Sequence, residues 1–424
     1  MEFRNVLQRS NARTLEDPVD PMFEASNICK EDRTTAWIAP AKGFRQFRLA
    51  GNVYPTRERV AHILKTSAEG VSDLLVNAME RPIPPRRVDT PRHFRDIDAS
   101  ALPIPTYFKG DGGPYITSGI FHAGYGGVRN LSFHRMMWLG RDRFAVRVVP
   151  RHLMALLRTA KEKGEHLKAV VSIGADLPSL LAGSTTMAYG QDEMEMASSL
   201  SQLTYGAPLD VFSPEGNDLL SPVGSEIVMI GEFLDETAPE GPFVDITSTR
   251  DDSGLEPGEP VFQVKKVLCR NNAIMHVLLP GGYEHFLLMG LPKEPSILQS
   301  VGKVVPKVHA VRLTEGGCCW LHGAVSITKQ KEGDGKNAIM AAFTGHPSMK
   351  KVTVVDGDID IFDDRELEWA VATRFQAHRD MVMLEGARGS TLDPSMDPDG
   401  TTSKVGIDAT MPLHDTSRFK KVRS

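Results

Sequence analysis

The stretch VRNLSFHRMMWLGRDRFAVRVVPRH, from Val128 to His152, leaves this chain the least freedom. Polar and apolar residues alternate from Arg129 to Met137 and again from Arg143 to Val149, with Leu139-Gly140-Arg141-Asp142 between them. That period of two predicts a pair of β-strands joined by a turn. A strand sends every second side chain to the same face. Asn130 and Ser132 therefore share a line, Arg135 falls near a strand end, and His152 follows a proline, Pro150, that stops the ladder. An amide oxygen, a hydroxyl, a guanidinium and an imidazole on neighbouring strands are what a metal ion and a phosphate would need together. Spacing alone leaves open whether they meet.

With 424 residues, the chain is long enough for two or three domains of ~150 residues each and a sizeable core. A formal net charge of -5, with the basic residues spread out, carries no footprint of a nucleic-acid binder. Of the four cysteines, Cys318 and Cys319 are adjacent while Cys29 and Cys269 stand alone. No CxxC pair or zinc spacing is present, and reduced thiols in a cytosolic compartment are predicted. The opening residues are charged and lack the apolar run of a secretory signal. No window approaches the ~20 apolar residues of a membrane span, so a soluble cytoplasmic protein is expected.

Composition and periodicity divide the chain into five parts. Residues 1–95 read as an N-terminal α/β segment, with helices predicted near 22–30, 56–64 and 72–79, a strand near 44–50, and a proline- and arginine-rich linker over 82–95. Residues 96–270 read as a strand-rich domain. It includes an amphipathic helix with Leu153, Leu156, Leu157 and Ala160 on one stripe, and strands over 169–173, 226–233 and 260–269. A buried helical connector is predicted over 271–298, a second α/β unit over 299–385, and an irregular polar tail over 386–424.

Several segments carry chemistry-bearing residues with two readings each. Gly110-Asp111-Gly112-Gly113 is a phosphate cradle or a set of hairpin turns. Asp192, Glu193 and Glu195 follow the small residues Gly183-Ser184-Thr185-Thr186 and could be acids complementing a helix dipole. Glu240 and Asp245 are five apart around Gly241-Pro242. In an extended segment they would face opposite ways, but a bend can bring both into one pocket, where close carboxylates push their pKa values apart. The alternative is a solvated acidic loop. His285, among Phe286, Leu287, Leu288 and Met289, reads as a core residue, and Lys293 as a helix-end cation.

Four blocks, NLSFHR, the EGPF turn, VVDGDIDIFDDRELEWAVATR and SKVGIDATMP, resemble in order and separation the UbiD-type decarboxylases, from about Asn52 to Phe419. The resemblance implies a flavin-binding split-barrel-type domain, an α/β domain that drives assembly into homodimers or homohexamers, and a C-terminal tail returning to the cofactor. It also implies prenylated FMN, supplied by a flavin prenyltransferase and held by its phosphate through Mn2+ or Mg2+, with K+ nearby. By position, Asn130, His152 and Glu193 are then the metal group. Ser132, Phe133, His134 and Arg135 line the flavin, and Arg147, Arg151, Ser184 and Lys404 contact its phosphate or rings.

The reaction implied is non-oxidative, reversible loss of carbon dioxide from an α,β-unsaturated carboxylic acid, with the flavin as electron sink. Arg135, paired with Glu240, would orient the leaving carboxylate and Asp245 would deliver the proton. Family members carry Glu or Asp at this last position. The length and the wording around SKVGIDATMP resemble the short archaeal-like branch that converts trans-anhydromevalonate 5-phosphate to isopentenyl phosphate in isoprenoid biosynthesis. His285 and Lys293 are candidates to meet a substrate phosphate. The loop ITSTRDDSG replaces an aromatic-rich sequence common in aryl-acid members, which favours a small substrate. The alternatives are a furan, pyrrole or benzene carboxylate, or a non-catalytic flavin-binding subunit of a carboxylase complex, which would have no need of Arg135, Glu240 and Asp245 together.

Overall fold

The structure is a computed structural model that describes residues 1–215, 218–414 and 416–422. In it the alternating stretch and its approach form five short strands: β1 (Tyr115–Ile116), β2 (Ile120–Tyr125), β3 (Val128–Phe133), β4 (Met136–Gly140) and β5 (Arg143–Val146). The single strand expected over 129–137 is two. β3 pairs with β2, whereas β4 pairs with β1 and β5, so the chain changes partners at His134 and Arg135. The ladder stops at Val146, short of the expected Val149. Arg147 turns its amide to the Arg135 carbonyl at 3.1 Å, and Pro150 has no N–H to give.

After helix α1 (His152–Glu162) come β6 (Lys168–Ile173), α2 (Leu177–Ser184), α3 (Glu193–Tyr205), β7 (Ile227–Ala238) and β8 (Glu259–Arg270). The eight strands join in the order β1-β4-β5-β8-β7-β6-β2-β3, antiparallel throughout. Phe94–Ile97 pairs with β8 as the ninth strand. Alternate residues send Phe121, Phe144, Phe233 and Phe262 into one core with Met136 and Met229. The rings of Phe121 and Phe262 pack edge-on at 5.4 Å. Leu153, Leu156 and Ala160 of α1 bury in the same core. Asp176 caps α2 through the Ser179 amide and Asp192 caps α3 through the Met194 amide, which fixes where each helix starts.

The chain separates into two compact units, residues 1–68 with 74–288 and residues 69–73 with 289–424. The boundary after residue 288 falls inside the expected connector 271–298, while no unit boundary falls at 95. Residues 1–95 do not stand apart, because Ala273–Val277 pairs in parallel with Phe47–Gly51, so the expected connector supplies a strand to the N-terminal sheet. The expected linker over 82–95 is also engaged: Arg86–Arg87 pairs with Asp210 and Val211.

In the second unit β9 (Lys307–Leu313), β10 (His322–Thr328), β11 (Lys351–Asp356), β12 (Met381–Arg388) and β13 (Thr401–Ala409) form a mixed sheet in the order β9-β10-β11-β13-β12. Helix α4 (Asp334–Gly345) makes the crossover between the parallel β10 and β11. The tail expected to be irregular over 386–424 thus provides β13, a strand paired on both sides. Its buried positions include Thr402, Lys404 and Gly406, which carry no apolar alternation to read. The last two residues of that tail lie outside the described residues. Among the described residues no helix is long and apolar enough to cross a membrane.

Candidate active site

The partner change between β3 and β4 leaves Arg135 outside both ladders, and its guanidinium enters a cluster of acids. Glu240 takes it in a fork, Nε to Oε1 at 3.0 Å and Nη2 to Oε2 at 2.8 Å; Asp245 accepts from Nη1 at 2.6 Å, and Asp251 accepts from Nη2 at 2.9 Å. The bend at Gly241-Pro242 does bring Glu240 and Asp245 to one group. The Phe243 ring between them lies 4.4 Å from the guanidinium carbon and stacks at 4.6 Å on Tyr115. Burial works against the Arg135 charge, but Glu240 first, then Asp245 and Asp251, raise its pKa further, so it is a permanent cation. For Asp251 burial is likewise outweighed, and the Ser253 hydroxyl with the Arg135 charge holds its carboxyl below the ordinary value.

Sequence reasoning missed Asp251. It lies on the return strand of a short hairpin, Phe243–Val244 against Arg250–Asp251, in register with Phe243. The acid doublet Asp251-Asp252 shortly after Asp245 was the available signal. Two glycines brace the arrangement. Gly112 gives its amide to the Pro242 carbonyl at 2.8 Å, and a Cβ there would drive into the Gly241 carbonyl. A Cβ on Gly254 would meet Glu240 itself. Of the two readings of the run from Gly110 to Gly113, the structure therefore supports a turn that packs under the bend between Glu240 and Asp245.

His285, on the helix Tyr283–Gly290, accepts the Gly281 amide at Nδ1, 3.2 Å away, so the ring proton sits on Nε2. Burial pushes its pKa down, while the Asp245 charge draws it up and that of Arg135 presses it lower. It is thus within electrostatic reach of the acid cluster. Lys293 belongs to the other unit, where its ammonium lies 5.9 Å from the Trp320 ring.

The second group of residues meets where β3 crosses the start of α3. Glu193 is buried, and its Oε2 accepts from Asn130 Nδ2 at 3.1 Å and from the Leu131 amide at 2.8 Å. The Nδ1 of His152 is 3.7 Å from its other oxygen. Burial pushes the Glu193 carboxyl up to about 7, aided by the Asp192 charge and opposed by the Leu131 amide and Asn130. Asp192 is the helix cap. Burial favours its neutral form, but His122, the Met194 amide and Arg129 hold it well below the usual carboxylate range.

One proton decides what Asn130 can do. The Ser132 hydroxyl is 2.7 Å from Asn130 Oδ1 and 2.9 Å from His134 Nε2. The other His134 nitrogen, Nδ1, faces the Arg147 carbonyl at 2.9 Å and must donate to it. Burial first, with the Arg151 charge, pushes the His134 pKa down to about 4, so at neutral pH the ring has one proton and Nε2 is bare. The Ser132 hydroxyl gives its one hydrogen to Asn130 Oδ1 at 2.7 Å, which leaves that amide oxygen a second lone pair. A hard cation would balance the buried Glu193 carboxylate and could use that second lone pair. Among the described residues no three His, Cys, Asp or Glu gather for a metal, so a cation here would need the amide oxygen and the oxygens of a ligand besides His152 and Glu193.

The other expected contacts are placed less centrally. Arg147 is ion-paired with Glu259 and donates to Ser253 Oγ at 2.9 Å, while Glu259 also accepts the Val148 amide. Arg151 immediately precedes α1, beside His152, whose pKa it lowers in addition to burial. Ser184 ends α2. Phe133 closes β3 opposite Ile120, against Gly183 of α2. Lys404 is in β13 of the other unit, where its ammonium is taken up by the Pro347 and Met349 carbonyls.

Residues 84–283 match the 3-octaprenyl-4-hydroxybenzoate carboxy-lyase Rift-related domain, and residues 286–409 match the 3-octaprenyl-4-hydroxybenzoate carboxy-lyase C-terminal domain. The anhydromevalonate phosphate decarboxylase of Methanothermobacter thermautotrophicus is 44% identical over 426 residues, covering 99% of each chain. Among solved structures, the UbiD-class enzyme HmfF from Pelotomaculum thermopropionicum in complex with FMN is similar at a TM-score of 0.93 and 37% identity, covering 100% of this chain and 97% of that one. An evolved dimeric form of HmfF in complex with prFMN is similar at 0.89 and 34%, over 100% and 97%.

Proposed function

The chain belongs to the UbiD family of decarboxylases, and on that premise we propose that it removes the carboxyl group of trans-anhydromevalonate 5-phosphate to give isopentenyl phosphate. The observation that carries the reading is the Arg135 guanidinium held by Glu240 and Asp245 in a buried cluster. Prenylated FMN, when bound, supplies the electron sink for the carbon that loses its carboxyl group. Asn130, His152 and Glu193 would hold the Mn2+ or Mg2+ that clamps its phosphate, with Ser132, Phe133 and His134 along its edge. Arg147, Arg151 and Ser184 would complete the phosphate and ring contacts, and Lys404 and a K+ ion remain further candidates there.

Arg135 holds the substrate carboxylate against a fixed charge, Glu240 keeps that charge aimed, and Asp245 carries the proton to the carbon left behind. His285, with its proton on Nε2, can donate to a substrate oxygen, and Lys293 is a second candidate for the phosphate. We place the enzyme in the cytoplasm as a homo-oligomer, with a flavin prenyltransferase as supplier of its cofactor.

The 44% identity over essentially the full length of an anhydromevalonate phosphate decarboxylase supports this substrate over an aryl acid. Purified holoprotein given trans-anhydromevalonate 5-phosphate should release carbon dioxide. Turnover of furan, pyrrole or benzene carboxylates alone would end the isoprenoid reading, and turnover of neither would favour a non-catalytic flavin-binding subunit.

A further inference from the structure

We propose that Asp251 stands in for the substrate carboxylate on Arg135 and is displaced when the substrate binds; this rests on the decarboxylase reading above. A guanidinium has five N–H donors. Here Nε and one Nη2 hydrogen go to Glu240, one Nη1 hydrogen to Asp245, and the other Nη2 hydrogen to Asp251. Glu240 fills the Nε and Nη2 edge. A second carboxylate can dock in a two-point fork only across Nη1 and Nη2, where Asp245 and Asp251 each hold one donor. A carboxylate docking there at two points must take at least one of them, because the one remaining Nη1 hydrogen offers a single point.

The three acids differ in what they lose. Glu240 is 0% exposed and would be left as a buried, unpaired charge. Asp245 is tied by its second oxygen to its own chain, at the Ile246 amide, 2.6 Å away. Asp251 is the most exposed of the three, at 22%, and its second oxygen accepts the Ser253 amide at 3.0 Å and the Ser253 hydroxyl at 2.6 Å. It can leave Arg135 and keep two hydrogen bonds on the solvent side. Asp251 is therefore a positioning residue: it holds Arg135 charged and aimed until a carboxylate takes its place, and it penalises ligands that lack one.

The test titrates crotonate, a simple unsaturated acid, into flavin-loaded protein and follows the flavin absorbance, so that no turnover is needed. Asp251→Asn removes the competing charge, and crotonate affinity should rise about tenfold, the scale of one hydrogen bond to a charged group. With the phosphorylated substrate the effect should fall on KM rather than kcat. Ser253→Ala retains the charge and removes a bond that Asp251 has both on and off Arg135, so it should leave crotonate affinity within about twofold of the wild type. Unchanged or weaker binding in Asp251→Asn, or a rise in Ser253→Ala as large as that in Asp251→Asn, overturns the assignment, as does a lack of saturable crotonate binding in wild type and variants alike. Failure of the wild type to decarboxylate trans-anhydromevalonate 5-phosphate would sink that substrate and leave the titration as the judge of Asp251.

Discussion

Arg135 and Asp245, 110 positions apart in the chain, meet at 2.6 Å through Nη1 and Oδ2. Asparagine at 245 would preserve the size and an oxygen for Nη1 but has no acidic proton. Asp245→Asn should therefore bind flavin with an unchanged absorption spectrum, while carbon dioxide release falls by at least about 100-fold, the usual worth of a positioned general acid. Full activity in this variant would remove Asp245 from the proton path.

The fork between Arg135 and Glu240 is buried, and it makes a second prediction about stability. Lysine at 135 is a single point of charge and cannot satisfy both Glu240 oxygens. Breaking a buried pair from one side costs about 3–5 kcal/mol, so Arg135→Lys should lower the urea midpoint clearly. Adding Glu240→Gln removes the stranded charge. The double variant should be less destabilised than the sum of the two single changes. Strict additivity would show that the pair is not coupled.

Asn130 Nδ2 donates to Glu193 at 3.1 Å, and the proposed divalent cation would take the Glu193 carboxylate and the Asn130 oxygen. Melting in the presence of FMN should shift upward when Mn2+ is added to the wild type. A cation present at ~100 times its dissociation constant is worth about 2.7 kcal/mol. Glu193→Gln retains the shape and the acceptor for the Leu131 amide but loses the anion. Its melting temperature should not respond to Mn2+. An equal response in both proteins would take Glu193 out of the metal group.

What could be read before the structure was local. The alternation over 128–152 marks strands, and Gly241-Pro242 marks a bend that can join Glu240 to Asp245, because both signals lie within a few residues. What escaped depends on partners far away. No periodicity announces that the chain swaps neighbours at His134, since both halves alternate correctly. β13 was hidden because Thr402, Lys404 and Gly406 occupy its buried positions. Asp251 was hidden because its place depends on the register of a hairpin against Phe243. The N-terminal sheet could not be delimited without knowing that Ala273–Val277 returns to Phe47–Gly51.

His134 links the site to acid stability. Burial holds its folded pKa at about 4, against an ordinary value of 6.5. Above pH 6.5 the ring is neutral in both folded and unfolded chains, and the group costs nothing. As the pH falls from 6.5 to 4 the unfolded chain takes up a proton that the folded chain refuses, so stability is lost across that window. By linkage the loss is at most about 3 kcal/mol. The urea midpoint of the wild type should therefore drop between pH 7 and pH 4.5, and His134→Gln, which has no ring to protonate, should show a shallower drop. The same slope in both would place the acid sensitivity elsewhere.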